Sequence, residues 1–159
     1  MNYAVLGPRG TFSEEAAHLY WGEGISLQVA SSIPEVFALV ENHRADAALV
    51  PLENSLAGSV WDTLECLKTC QVEIKGEISI PIKQHLMACR DYGLDELELL
   101  ISQPVALLQC ERFIKSKLGG VRTEICDSTS RAAQMLRHET RPAASIGNYQ
   151  TAILYDLRV

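Results

Sequence analysis

Ala47-Ala48-Leu49-Val50-Pro51-Leu52-Glu53-Asn54-Ser55-Leu56-Ala57-Gly58 places a short apolar run directly before an acid, an amide and a hydroxyl. The run has the length of a buried strand, and Pro51 stops it. The polar residues after Pro51 predict a helix opening at Asn54-Ser55 and running through Trp61, Leu64 and Leu67. A helix start needs one polar cap, and here there are three candidates. The junction therefore has the composition of a binding site at the carboxyl end of a strand.

The same strand, turn and helix order recurs on both sides of this stretch. Tyr3 to Leu6 reads as a strand closed by Gly7-Pro8, and Thr11-Phe12-Ser13-Glu14 has capping-box spacing before a helix through Tyr20. Ile25 to Ala30 alternates as a strand, and Ser32-Ile33-Pro34-Glu35 caps a second helix. Val72 to Ile82 is a long β-type run broken by Gly76 and Pro81, which suits a connection between lobes. The expected lobes are 1–76 and 77–159. In the second, Leu97 to Ile101 is a strand, and Ser102 with Pro104 opens one helix to Lys117 that stops at Gly119-Gly120. Val121 to Cys126 is the next strand, and Asp127-Ser128-Thr129-Ser130 caps a helix through Leu136. Ala143 to Ile146 precedes a last helix begun by Gly147-Asn148. Strands alternating with capped helices imply an α/β fold of two small lobes with mostly parallel sheets. The turns at Thr11, Asn54, Ser102 and Ser128 then fall on the strand ends where such sheets bind ligands, as an anion-friendly polar cleft.

With 159 residues and 47% apolar content, the chain can bury a core. Its net charge of -6, with acids and bases interspersed, leaves a nucleic-acid partner without support. Five cysteines without framework spacing, and no charged-then-apolar leader, lead us to expect a reducing cytoplasmic location. No segment is long and apolar enough to span a bilayer. Cys66 and Cys70 share one helix, but no further pair completes a metal site, so no metal is expected. Gly7-Pro8-Arg9-Gly10-Thr11 lacks the ending of a phosphate loop and the glycine spacing of a dinucleotide site, so no nucleotide or other cofactor is expected.

Ser102 and Gln109 are seven apart, two turns of the single helix expected there, and would share a face. A half-buried glutamine offers both a donor and an acceptor to a ligand. Lys83 and Arg9 are the cations nearest the expected cleft. His85 reads as a half-buried hinge histidine, and His18, His43 and His138 as surface residues.

Four blocks resemble the prephenate dehydratase family in order and spacing: Gly7-Pro8-Arg9-Gly10-Thr11-Phe12-Ser13, Pro51-Leu52-Glu53-Asn54-Ser55 with Gly58, Ser102 with Pro104 and Gln109, and Ser128-Thr129 with Ala132-Ala133. The resemblance implies a catalytic region similar to the type II periplasmic-binding-protein fold, with the active site between its lobes. It implies decarboxylating dehydration of prephenate to phenylpyruvate in phenylalanine biosynthesis. Glu53, Asn54, Ser102 and Gln109 would be catalytic, and Thr11, Ser55, Lys83, Ser128 and Thr129 would bind substrate. Relatives suggest a homodimer. Two departures are visible. Ser102-Gln103-Pro104-Val105 stands where the family commonly has Ser-His-Pro-Gln. Beyond Tyr155-Asp156-Leu157 the family runs into an Asn-x-Thr-Arg-Phe segment and often an ACT regulatory domain, whereas this sequence ends at Val159. The expectation is therefore a catalytic region lacking the returning segment, with activity in question. Arogenate as substrate, or a non-catalytic small-carboxylate-binding or sensor module of the same fold, are the alternatives.

Overall fold

Tyr3, Ala4 and Val5 form the middle of strand β1 (Asn2–Leu6), with Ala4 and Val5 fully buried. In the computed structural model, which describes residues 1–159, β1 pairs in parallel with β2 (Ser26–Ala30) on one side and β3 (Ala47–Leu49) on the other. The chain divides into two units, Met1–Pro81 and Ile82–Val159.

In the first unit, α1 (Phe12–Trp21) and α2 (Ile33–Glu41) come after β1 and β2. Thr11 Oγ1 accepts the Glu14 N–H at 3.4 Å, and Ser32 Oγ accepts the Glu35 N–H at 3.3 Å, so both expected caps are present. The reciprocal half of each box reaches one residue further back than the usual pattern. Glu14 Oε2 takes the Gly10 N–H at 2.5 Å, and Glu35 Oε2 takes the Ser31 N–H at 2.7 Å. The Ser31 hydroxyl donates to the same Glu35 oxygen at 2.6 Å, and with the Ser31 N–H it holds that carboxyl below its usual range. Val36 and Leu39 of α2 pack on Ala4, Ala30 and Ala45.

The helix expected to open at Asn54 does not form there. Glu53–Asn54 (β4) and Gly58–Ser59 (β5) pair antiparallel as a small hairpin, and α3 (Trp61–Thr69) starts only afterwards. Asn54 Oδ1 accepts from Leu56 N at 2.9 Å and Ala57 N at 3.1 Å, closing the turn with its own side chain. Gly58 sits at φ 80, a conformation open to glycine at little cost. Thr63 Oγ1 donates to Pro51 O at 2.7 Å and ties α3 to the end of the β3 segment. Cys66 of α3 packs on Ile33 and Phe37 of α2.

Residues 71–84 carry no regular element. The apolar β-type run from Val72 has no strand beside it, and β-propensity without a partner yields extended chain only. The Tyr20 hydroxyl lies over Gly76, so a Cβ there would require the tyrosine side chain to move aside.

The second unit is a four-stranded sheet in the order β6-β9-β7-β8, formed by β6 (His85–Ala88), β7 (Leu99–Ser102), β8 (Arg122–Ile125) and β9 (Ala143–Gly147). Only β6 runs antiparallel. Every residue of β7 is buried, as a central strand covered on both faces requires. Leu100, Ala144 and Ile146 face α4 (Pro104–Gln109) and α5 (Glu111–Lys117), packing with Ala106 and Leu118. Leu99, Ile101 and Ala143 face α6 (Thr129–Leu136) through Ala132 and Leu136. The last helix is α7 (Tyr149–Leu154). The single helix expected from Ser102 to Lys117 is two short ones joined at Cys110, whose φ of -103 and ψ of 7 leave helical geometry.

Candidate active site

In the first unit the parallel strands end at one rim, where Thr11 sits half-buried. Its hydroxyl caps α1 and points back to Leu6 O at 3.4 Å. Arg9 does not stand free beside it. The guanidinium pairs with Glu14 Oε1 at 3.0 Å and donates to Leu27 O at 3.4 Å. A hollow of about 410 Å³ lined by Gly7, Pro8, Val29, Ala30 and Ser31 opens at the same strand ends. On the hairpin, Asn54 is committed to its turn. Glu53 and Ser55 beside it are exposed, and neither side chain has a hydrogen-bond partner in the fold.

In the second unit the polar residues are set far more deeply. Ser102 is the last residue of β7, 0% exposed, and donates its hydroxyl to Ile146 O on β9 at 3.0 Å. It therefore lies on a strand, not on the helix it was expected to share with Gln109. The Cys126 N–H bonds to Ser102 O at 3.1 Å, which carries the chain from the end of β8 directly to Ser128. Ser128 Oγ accepts the Arg131 N–H at 3.0 Å as the cap of α6. Thr129 is buried and packs against the end of β9, where a Cβ on Gly147 would lie 3.1 Å from Thr129 Cβ and from Met87 Cε. Asn148 comes next, its buried Oδ1 accepting from Thr151 N at 2.9 Å and Thr151 Oγ1 at 2.7 Å. Ser102, Ser128 and Thr129 thus share one rim of the sheet.

Gln109, at the end of α4, meets a residue that the sequence did not single out. Gln84 Nε2 donates to Gln109 Oε1 at 2.7 Å. Gln84 stands between exposed Lys83 and His85, the first residue of β6, whose ring lies 5.7 Å from that of Tyr149. A polar residue beside a strand start carries no periodic signal, so Gln84 was not legible.

A second hollow of about 430 Å³ lies between α6 and β8, lined by Ile101, Glu124, Arg131, Met135 and Arg137 among others. None of the residues expected at the site lines either hollow. All five cysteines are free thiols, and burial pushes those of Cys66, Cys110 and Cys126 up, toward the protonated form. No three His, Cys, Asp or Glu side chains gather as a metal site would require.

The profile of the prephenate dehydratase family matches residues 3–159. The chain belongs to that family. It is 34% identical over 156 residues to the bifunctional chorismate mutase/prephenate dehydratase of Aquifex aeolicus, covering 98% of this chain and 42% of that one. It is 30% identical over 156 residues to arogenate dehydratase/prephenate dehydratase 2 of Arabidopsis thaliana, with 98% and 40% covered. The crystal structure of prephenate dehydratase from Arthrobacter aurescens in complex with L-Phe superposes with a TM-score of 0.89 at 28% identity, over 97% of this chain and 52% of that one. The chain spans about half the length of the relatives it matches. The family and the mixed α/β architecture with mostly parallel sheets are those the sequence led us to expect. No helix is long and apolar enough to cross a membrane.

Proposed function

We propose that the chain carries the catalytic function of a prephenate dehydratase. The prephenate dianion takes up one proton and gives phenylpyruvate, carbon dioxide and water, and aromatisation of the ring drives the step. The protein has to orient the ring and supply hydrogen bonding or a proton to the departing hydroxyl. The observation that carries the proposal is the family match over residues 3–159. Polar side chains at the strand ends of both sheets give it chemical content.

In this reading, Glu53 and Gln109 act on the ring hydroxyl. Asn54 and Ser102 hold the backbone that presents them, because both are already committed to internal hydrogen bonds. The carboxylates are met by Lys83 and by Ser55, and by the N-terminal turns of α1 and α6 with Thr11, Ser128 and Thr129, where backbone N–H groups and the helix dipole favour an anion. No metal or organic cofactor takes part. The enzyme works as a homodimer in the cytoplasm, and sedimentation of the purified protein tests the dimer.

The deciding experiment incubates the purified protein with prephenate and monitors phenylpyruvate. Turnover is expected, and Gln109→Ala should lower it while the fold is retained. The second reading as an arogenate dehydratase is favoured by the Arabidopsis relative, whose name carries both activities. Phenylalanine formed from arogenate, with no product from prephenate, would move the assignment there. Tight prephenate binding without any product would favour the carboxylate-binding module, and neither binding nor turnover would remove the proposal.

A further inference from the structure

Gln109 receives its one side-chain hydrogen bond from Gln84, and that bond joins the end of α4 to the residue before β6. We propose that Gln84 is a positioning residue that fixes the orientation of the Gln109 amide, so that Gln109 presents its NH2 group to an acceptor oxygen of the ligand. This rests on the proposed function, in which Gln109 touches prephenate.

Each amide in the pair can in principle be turned over, and the buried side of Gln84 decides which way it stands. Gln84 Oε1 is shielded from solvent and has no hydrogen-bond partner. In the observed arrangement the dry position holds one unmet acceptor. Turning Gln84 over would put its NH2 group there, leaving two N–H donors unmet, which is the worse arrangement. Gln84 therefore keeps Nε2 toward Gln109, and Gln109 must answer with Oε1. Gln109 Oε1 is thereby turned toward Gln84, and the NH2 group is the end of the amide left without a partner in the fold. An amide free to turn would serve a hydroxyl or a carboxylate equally well. One held this way selects an acceptor, which fits a carboxylate oxygen or a departing hydroxyl that carries growing negative charge.

The base of the clip is well anchored. His85, next in the chain, pairs with Gly147 on β9, so Gln84 is attached directly to the first residue of a sheet strand.

The test compares the wild-type chain with Gln84→Leu and Gln84→Glu, using prephenate turnover across pH, after thermal melting has shown that each variant folds. Gln84→Leu removes the donor and should lower kcat by about tenfold or more with the melt unchanged. Gln84→Glu makes a directional prediction that a simple packing role would not. Protonated, the new carboxyl donates to Gln109 Oε1 as the amide did. Ionised, it can only accept, and pulls the Gln109 NH2 toward itself. Activity of Gln84→Glu relative to wild type should therefore fall as pH rises through the pKa of that carboxyl and recover on acidification. A Gln84→Glu profile parallel to wild type, or a Gln84→Leu variant within twofold of it, overturns the inference. If the wild-type chain makes no product, the functional reading fails separately, and the free protein still decides the orientation. A through-bond NMR coupling from Gln84 Nε2 to the Gln109 side-chain carbonyl is expected, while the reverse coupling or none overturns it.

Discussion

The hairpin of the first unit and the sheet rim of the second hold their polar residues in opposite ways. Glu53 and Ser55 are exposed and unbonded on a two-rung ladder, with Leu52, Leu56 and Trp61 around them also exposed. Ser102 is buried in a four-stranded sheet, and Thr129 is buried at the start of the helix packed on it. A polar side chain in the interior has to serve the fold first, because an unmet hydrogen bond there costs more than it does in water. An exposed one with no internal partner has no such duty. The same residue types, found on both rims, should therefore fail differently when they are removed. Loss of a bonded, buried hydroxyl in the second unit should appear as instability, and loss of an unbonded side chain on the hairpin as changed chemistry with an intact fold.

The largest effect should come from Ser102→Ala. It removes the hydroxyl that donates to Ile146 O across β7 and β9, and should lower stability by about 1–2 kcal/mol. Denaturant unfolding checks the size, and native-state hydrogen exchange at β7 and β9 should show where it falls. A variant as stable as wild type would mean that the buried hydroxyl has no structural task, and the contrast between the rims would break.

Asn54→Ala should come next, at about 1 kcal/mol or less. Its Oδ1 closes a turn on the surface, so water can replace the two lost bonds to Leu56 and Ala57. Faster exchange confined to residues 53–59 is expected, since a ladder with little packing opens on its own. Slowed exchange or a large global loss would show that the hairpin belongs to the core.

These two residues also show what the sequence could and could not disclose. The strand-and-helix order was legible because caps demand particular side chains, and Thr11, Ser32, Ser128 and Asn148 all cap helices where expected. Asn54-Ser55 misled for the same reason. An oxygen that accepts from N–H groups two and three residues on serves an Asx turn as well as a helix start, and only the pairing of Glu53 with Ser59 separates the two. The break at Cys110 involves neither glycine nor proline, so nothing local marked it. Gln84 and Gln109 meet across 25 residues, and no spacing rule links two glutamines that lie on different elements.

A smaller effect, of opposite sign, is expected at Ser145. It faces Ile101 and Met87 in the register of the sheet, is 0% exposed, and its hydroxyl has no partner. Ser145→Ala removes an unmet polar group at nearly constant shape and should raise stability by about 0.5–1 kcal/mol. Set beside Ser102→Ala, it separates burial from bonding: the two serines are equally buried and differ only in whether the hydroxyl is met. A loss at both positions would mean that burial of the side chain alone accounts for the behaviour of this rim.

In folding terms the smallest effect belongs to Glu53→Gln. The side chain is exposed and unbonded, so the change should leave stability within about 0.5 kcal/mol. If Glu53 serves the departing hydroxyl, prephenate turnover should nevertheless fall by about a hundredfold, the scale of one lost acid or base. The two readings together are sharper than either alone. Full stability with lost turnover places the hairpin in the chemistry. Full stability with full turnover would leave Glu53 an ordinary surface acid, and the catalytic burden would shift to Gln109 and the second unit. A destabilised variant would contradict the hairpin geometry itself, because that carboxylate has no hydrogen bond or ion pair to lose.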